Sequence, residues 1–321
     1  MLTLEGGPVE YAHYDQQWEG QVVDLWNRCC TFDPIDVQKF RVQALFDDNF
    51  DPELSWVALE GDRVMGFAFG TKRKFPYLER GLEPERGWVN VLFVAPEARR
   101  CGVASELLSR IEDELVSRGA TNVTLGAYSP SYFFAGVDPE NYPEAAAFFE
   151  ARGYVPGDTH YSMGKNLHGY QVPQKTSARQ EELAERGYRF VPFDYSRALE
   201  VLDFLHRELG AGWKRNALIS MREGTAEDRM LLVVDPDDAV CGWCMRGIDG
   251  NPMRFGPIGI AARERNNGLG SVLLDLYCFE MARRGIYRMY FITTDEPGRR
   301  YYARHGLEVI RSFVDYRKEI S

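Results

Sequence analysis

The chain has 321 residues, more than one core ordinarily serves, so two domains are expected. Apolar residues make up 45% and charged residues 27%, the balance of a globular protein, while a net charge of −10 argues against broad nucleic-acid binding, which needs a basic face. MLTLEGGPVE lacks the basic stretch and apolar core of a signal peptide, no apolar run approaches the roughly 18–20 residues of a membrane span, and the 6 cysteines form no disulfide framework for this length, so a reducing cytoplasm without membrane or nucleic-acid partner is the expected setting.

In chain order, VEYAHYD (9–15) reads as a starting strand and EGQVVDLWNRC (19–29) as an amphipathic helix. SWVALEGDRVMGFAFG (55–70) reads as a hairpin turning at Gly61-Asp62. WVNVLFVA (88–95) is an apolar, β-branched run typical of a buried strand, and the loop PEARRCGVA follows it. The spacing then predicts a helix over 103–117, with Val103, Leu107, Leu108, Ile111 and Leu115 on one face and Gly119 as its C-terminal stop. NVTLGAY (122–128) is the next strand, and PEAAAFFEARG (143–153) a short helix closed by glycine. Between them stands an aromatic insertion, SPSYFFAGVDPENYP (129–143), with Tyr132, Phe133, Phe134 and Tyr142, read equally as a lid over a groove or as packing against the other domain. Residues 167–186 are polar and read as a linker with room for a short helix.

The same order then recurs. YRFVPFD (188–194) is a strand, SRALEVLDFLHREL (196–209) an amphipathic helix, and RMLLVVDPDDAVCGWCMRG (229–247) a hairpin. RFGPIGIA (254–261) is the buried strand, ARERNNGLG (262–270) the loop, and a helix over 271–284 ends at Gly285. YRMYFITT (287–294), the short helix GRRYYARHG (298–306) and one or two closing strands in LEVIRSFVDYRKEI complete the half. Arg99 and Arg265 open the two loops 265 − 99 = 166 residues apart, a spacing that means domain duplication rather than a solenoid. The domains expected are 1–166 and 187–321, with 167–186 between them.

Glycine at a helix start loses more backbone entropy than any other residue, so the loops need a bare backbone or a positive φ. A helix start carries unpaired N–H groups and partial positive charge, and a loop without side chains lets those groups close on an anion.

Arg99-Arg100-Cys101-Gly102-Val103-Ala104 and Arg265-Asn266-Asn267-Gly268-Leu269-Gly270 carry the pattern Arg/Gln-x-x-Gly-x-Gly/Ala between strand and helix, and Tyr302-Ala303-Arg304-His305-Gly306 follows as a second element. On these motifs nearly all of both halves resembles the GCN5-related N-acetyltransferase (GNAT) family, in tandem. The resemblance implies an α/β (α+β) fold of two domains, each a mixed, mostly antiparallel central sheet flanked by helices, and implies acetyl-CoA as cofactor, with no metal. The cofactor-binding residues it implies are the two loops, Arg99, Arg100, Cys101, Gly102, Val103 and Ala104 and Arg265, Asn266, Asn267, Gly268, Leu269 and Gly270, together with the preceding strand backbone at Leu92, Phe93 and Val94 and at Ile258, Gly259 and Ile260, whose unpaired amide polarises the thioester carbonyl.

Tyr302 is the implied catalytic residue, a phenol placed to protonate the departing thiolate. Phe149 stands at the matching place in the first half and cannot donate a proton, which makes the C-terminal half the expected catalytic one and the N-terminal half degenerate, regulatory or structural, an arrangement similar to that of mycothiol synthase. Asp295 and Tyr142 stand where the family often has asparagine; Asp295 orders the cofactor arm or, by preference, caps its helix. No general base is evident. The expected reaction is acetyl transfer to a primary amine of a small molecule or peptide by direct attack on the thioester. The alternatives are a coenzyme-A-binding regulatory protein without turnover and transfer of another acyl group.

Four further signals read as structural. Cys241-x-x-Cys244 lies inside a predicted strand, where residues three apart face opposite ways, which disfavours redox or zinc chemistry. Lys72-Arg73-Lys74 reads as a solvated loop ahead of a seat for the 3′-phosphate of coenzyme A. His305 suits a helix C-terminus, and His206 a surface or satisfied core position.

Overall fold

A computed structural model describes residues 3–4, 7–131 and 133–321; Tyr132 of the insertion lies outside the described residues. The chain divides into two compact units, Met1–His160 with Ser312–Ser321, and Tyr161–Arg311.

The main elements run β1 (Glu10–His13), α1 (Glu19–Cys29), β2 (Ser55–Glu60), β3 (Arg63–Thr71), β4 (Arg86–Val94), α2 (Val103–Ser117), β5 (Asn122–Leu125), α3 (Pro143–Glu150) and β6 (Val155–Asn166), which passes from the first unit into the second. The second unit continues with α4 (Gln174–Glu185), β7 (Arg189–Pro192), α5 (Ala198–Glu208), α6 (Ala211–Arg222), β8 (Met230–Val234), β9 (Val240–Arg246) and β10 (Phe255–Ile260). It ends with α7 (Leu269–Arg283), β11 (Arg288–Phe291), α8 (Glu296–Ala303) and β12 (Glu308–Glu319), whose last residues return to the first unit.

In the first unit β1, β2, β3 and β4 pair antiparallel in chain order, and β4 pairs parallel with β5. α2 buries Val103, Leu107, Leu108, Ile111 and Leu115, the face its spacing predicts. Two sheet glycines let it come close: a Cβ at Gly70 would stand 2.7 Å from Ile111 Cγ2, and one at Gly87 2.7 Å from Leu115 Cδ1. The β4–β5 ladder pairs Arg86–Val89 with Asn122–Leu125 and is followed by a bond from Gly126 N to Val89 O (2.9 Å). Beyond that rung β4 runs on beside β3 as far as Val94, opposite Gly66, and a cleft opens on its other side.

β5's free edge is taken by the end of the chain. Arg317, Lys318 and Glu319 of β12 pair with Thr124, Val123 and Asn122, and Tyr316 is buried with the first unit's core. The last ten residues therefore fold with the first unit rather than with the half that precedes them.

In the second unit β7, β8, β9 and β10 form an antiparallel sheet, while β11 pairs with the end of β6. Residues 174–185 of the polar stretch form α4, which belongs to the second unit's packing: Leu183 is fully buried, and Thr176 Oγ1 donates to the buried Asp275 of α7 (2.7 Å).

Candidate active site

Both glycine loops adopt the same backbone. Arg100 and Asn266 take φ of 61° and 66°, and Gly102 and Gly268, at 84° and 78°, are the left-handed N-caps of α2 and α7. Neither cap residue has a side chain, so the first-turn amides of each helix stay uncovered by their own cap. What surrounds the two loops differs.

At the second loop the chain's own side chains stand in front of the backbone. Arg179 of α4 donates from Nη2 to Asn267 O (2.7 Å), and a Cβ on Gly268 would meet its Nε at 2.9 Å. Leu209 and Trp213 stand against β10, where a Cβ on Gly259 would lie 2.6 Å from a Leu209 methyl and 3.1 Å from Trp213 Cζ3. Ile258, Gly259 and Ile260 are half-buried there, with Arg265, Asn266, Asn267, Gly268, Leu269 and Gly270 on the loop and helix start. A small cavity of the second unit, about 300 Å³, lies elsewhere, around Arg246, Asp228 and Tyr277. The Tyr302 ring packs 4.6 Å from Phe291 and 5.0 Å from Tyr301, and burial above all, then Cys244 and Asp295, pushes its phenol well above the usual range. Asp295 accepts from Gly298 N (2.8 Å), the helix cap its position predicts.

At the first loop a cleft of about 1220 Å³ opens along the released end of β4. Leu92, Phe93, Val94, Arg99, Arg100, Gly102 and Ala104 line it, so the first half's expected set is brought together with two exceptions. Val103 points into the core, and the Cys101 thiol turns to Arg99 O (3.4 Å). Arg99 donates to Val94 O and to Glu144, both at 3.3 Å. Arg152, after α3, lies over the Phe148 ring (3.7 Å) and donates to Ser105 Oγ on the first turn of α2. Three guanidinium groups thus gather at a helix N-terminus, an electrostatic setting for a polyanion.

The far wall comes from the aromatic insertion, one of whose two expected placements was over a groove. Phe134, Gly136, Val137, Asp138 and Tyr142 of the insertion line the cleft, so this segment is a wall of the first unit. Its Phe134 ring stacks on Trp26 (5.8 Å between centroids, 12° between planes). Tyr142 caps the start of α3; its hydroxyl donates to Asp33 Oδ2 (2.7 Å) and accepts from Phe32 N (3.2 Å). Burial first, and then the Asp33 carboxylate, raise its pKa far above the ordinary phenol value. Phe149 is buried in the wall beside it. On the floor, Asn90 is 3% exposed; its Nδ2 donates to Thr71 Oγ1 (2.6 Å), while its Oδ1 is buried without a partner. The sequence signal for Asn90 was a lone polar residue inside an apolar strand.

The other signals resolve as packing. Cys241 and Cys244 are buried in β9 with their thiols pushed upward by burial, Cys241 to about 12, and no metal-holding cluster occurs among the described residues. The Lys72–Lys74 run departs from the solvated loop expected of it. Lys72 and Arg73 are buried, because Tyr77, Trp88 and Tyr128 box the Arg73 guanidinium at 4.8–5.0 Å and Glu83 pairs with it (3.0 Å). His305 lies between Asp275 Oδ1 and Ser271 Oγ, each at 3.1 Å, and His206 is on the surface.

Comparison with known proteins places these features. The family model of the acetyltransferase (GNAT) family matches residues 20–154 and 198–307. An acetyltransferase of Sodalis glossinidius (strain morsitans) is 30% identical over 105 residues, 33% of this chain and 66% of that protein, so the chain spans just under two thirds of that relative's length. The GCN5-related glucosamine N-acetyltransferase region of a fungal multi-domain GH3 β-N-acetylglucosaminidase shares the fold at a TM-score of 0.78 and 19% identity, over 97% of this chain and 38% of that one. A tandem GNAT protein from the clavulanic acid biosynthesis pathway does so at 0.65 and 19%, over 97% and 98%.

Proposed function

Because the chain belongs to the acetyltransferase (GNAT) family, we propose that its first unit transfers acetyl from acetyl-CoA to a primary amine of a small molecule or peptide. The observation that carries this reading is the contrast between the two loops. The first faces a cleft of about 1220 Å³ with three guanidinium groups at its rim, while Arg179, Leu209 and Trp213 occupy the ground before the second. In this reading the chemistry lies in the half with Phe149 rather than, as expected from the sequence, in the half with Tyr302, and the second unit has a supporting role.

In this reading the uncovered amides at the start of α2, with Arg99, Arg100 and Arg152, receive the diphosphate of coenzyme A. Backbone N–H groups of Leu92–Val94, on the side of β4 released from β5, hold the thioester oxygen where negative charge develops. The amine nitrogen bonds to the acyl carbon, the carbon–sulfur bond breaks, the nitrogen gives a proton to water, and the departing thiolate takes one from water. The Tyr142 proton is committed to Asp33, and burial together with that carboxylate makes the phenol a weak acid, so its part is to hold the wall of the cleft.

The test is thiol release from acetyl-CoA against a panel of primary amines, with product masses. An amine gaining 42 mass units supports the proposal. Binding of acetyl-CoA without turnover on any amine would favour a regulatory coenzyme-A-binding protein, and faster turnover with a longer acyl-CoA would favour another acyl group.

A further inference from the structure

The floor of the cleft holds one polar atom with nothing to bind. Asn90 Nδ2 donates to Thr71 Oγ1, and Oδ1 is left buried in the cleft floor without a donor. A buried carbonyl without a donor is unfavourable, and a ligand N–H removes that penalty. Asn90 lies immediately past the last β4–β5 rung, at a register shift between Val89 and Val91 that leaves it unpaired with β3, and its side chain shares the sheet face of Thr71. Oδ1 thus stands where β4 leaves β5, two residues along the chain from the Leu92 amide that the acetyl-transfer reading assigns to the thioester oxygen.

Among the described residues of the cleft every carboxylate already has a partner. Among its described lining residues the carboxylates are Asp138 and Glu144. Asp138 accepts from Glu140 N, Asn141 N and Asn141 Nδ2 at 3.0, 2.9 and 2.7 Å, and Glu144 pairs with Arg99. Asp33, behind the wall, accepts from Tyr142, whose phenol stays neutral. Cys29 and Cys30 of the α1 end stay thiols, because burial raises both, Cys30 to about 12. The remaining charges, Arg99, Arg100 and Arg152, are cations.

Resting on the acetyl-transfer reading above, we propose that Asn90 Oδ1 receives an N–H of the acceptor, and that the acceptor is a weakly basic primary amine of α-amino or amino-sugar type. An amide oxygen accepts a hydrogen bond but cannot hold a proton, so the amine arrives neutral. An α-amino group of pKa ~8 is about a tenth neutral at pH 7, whereas an alkylamine of pKa ~10.4 is neutral in about one molecule in 2,500.

The full chain is assayed by thiol release from acetyl-CoA with two matched pairs: trialanine against Nα-acetyl-lysine amide, and glucosamine against cyclohexylamine. At pH 7 at least one weakly basic member is expected to lead its partner by tenfold or more in kcat/KM, and the gap is expected to narrow at pH 9.5. Asn90→Ala is expected to raise the acceptor KM about tenfold with the acetyl-CoA Kd unchanged. Asn90→Asp, close to isosteric, supplies a carboxylate and is expected to shift preference toward the strongly basic members; it carries the test where the alanine variant does not fold. Equal or reversed preference at pH 7, or variants with unchanged acceptor KM and preference, would overturn the proposal. So would acetyl-CoA binding with no thiol release from any of the four. Failure to bind acetyl-CoA would instead sink the acetyl-transfer reading itself.

Discussion

The Tyr142 hydroxyl reaches Asp33 Oδ2 at 2.7 Å, joining the insertion that walls the cleft to the loop after α1. The bond aligns the phenol, and its surroundings keep it protonated. Replacing Tyr142 by Phe keeps the ring contacts to Phe32 and Phe134 and removes the proton. The variant is expected to lose about 1.5–3 kcal/mol of stability, the scale of a hydrogen bond to a charged group, with turnover within about threefold of the parent chain. An unaltered urea midpoint would strip Tyr142 of its assigned role.

Coenzyme A binding separates the two loops. Calorimetric titration with acetyl-CoA is expected to show one site per chain. Gly102→Val places a branched side chain at φ 84° on the rim of the cleft and is expected to abolish that site. Gly268→Val, at φ 78° and against Arg179, is expected to lower stability by about 1–3 kcal/mol and leave the stoichiometry at one. Two sites, or loss of binding only with the Gly268 change, would return the chemistry to the second unit.

Local features were legible in the sequence, and long-range occupancy was not. The left-handed steps at Gly102 and Gly268, the α2 face from Val103 to Leu115 and the Asp295 cap follow from backbone sterics and helical period, so a single stretch encodes each. Whether a loop faces a cleft depends on Arg179, Leu209 and Trp213, which stand far along the chain from Gly268 and Gly259 and carry no motif. Asn90 was visible only as a polar residue in an apolar strand, because its unpaired oxygen exists by virtue of Thr71, on another strand, holding the nitrogen. Arg73 and Lys72 read as solvated because a charge run normally is; the aromatic box that buries Arg73 comes from Tyr77, Trp88 and Tyr128, over more than fifty residues. The pairing of Lys318 with Val123 is likewise beyond any local pattern.

That pairing has a consequence for folding. Residues 312–321 close the edge of β5, bury Phe313 and Tyr316, and tie Lys318 to Glu112 (2.7 Å) and Tyr316 to Glu150 (2.7 Å). Tyr316→Ala is expected to destabilise the first unit by about 3 kcal/mol, the scale for truncating a buried aromatic. Deleting residues 312–321 is expected to abolish acetyl-CoA binding, although every cleft residue remains. Limited proteolysis read by mass would show Met1–His160 digested first. A truncated chain that binds acetyl-CoA normally would show the strand to be dispensable.

Alkaline pH supplies a test of how the cores hold their tyrosines. Burial first, and then the Glu112 carboxylate, raise Tyr154 in the first unit, and burial followed by Cys278 and Asp275 raises Tyr170 in the second. A group whose folded pKa lies above its unfolded value of about 10 contributes stability fully present below pH 10 and lost as pH rises toward the folded value, because the unfolded chain sheds protons the folded one keeps. Each such tyrosine costs at most about 1.4 kcal/mol of stability per pH unit above 10. Urea midpoints are therefore expected to begin falling near pH 9, where the unfolded chain ionises the thiols that burial keeps protonated at Cys30 and Cys241, and to fall more steeply between pH 10 and 11. Tyr154→Phe removes one of these protons, so its midpoint is expected to start lower, having lost the bond to Glu112 (2.8 Å), and to fall less steeply than that of the parent chain. Parallel slopes for parent and variant would mean that Tyr154 gives up its proton in the folded state as readily as in the unfolded one.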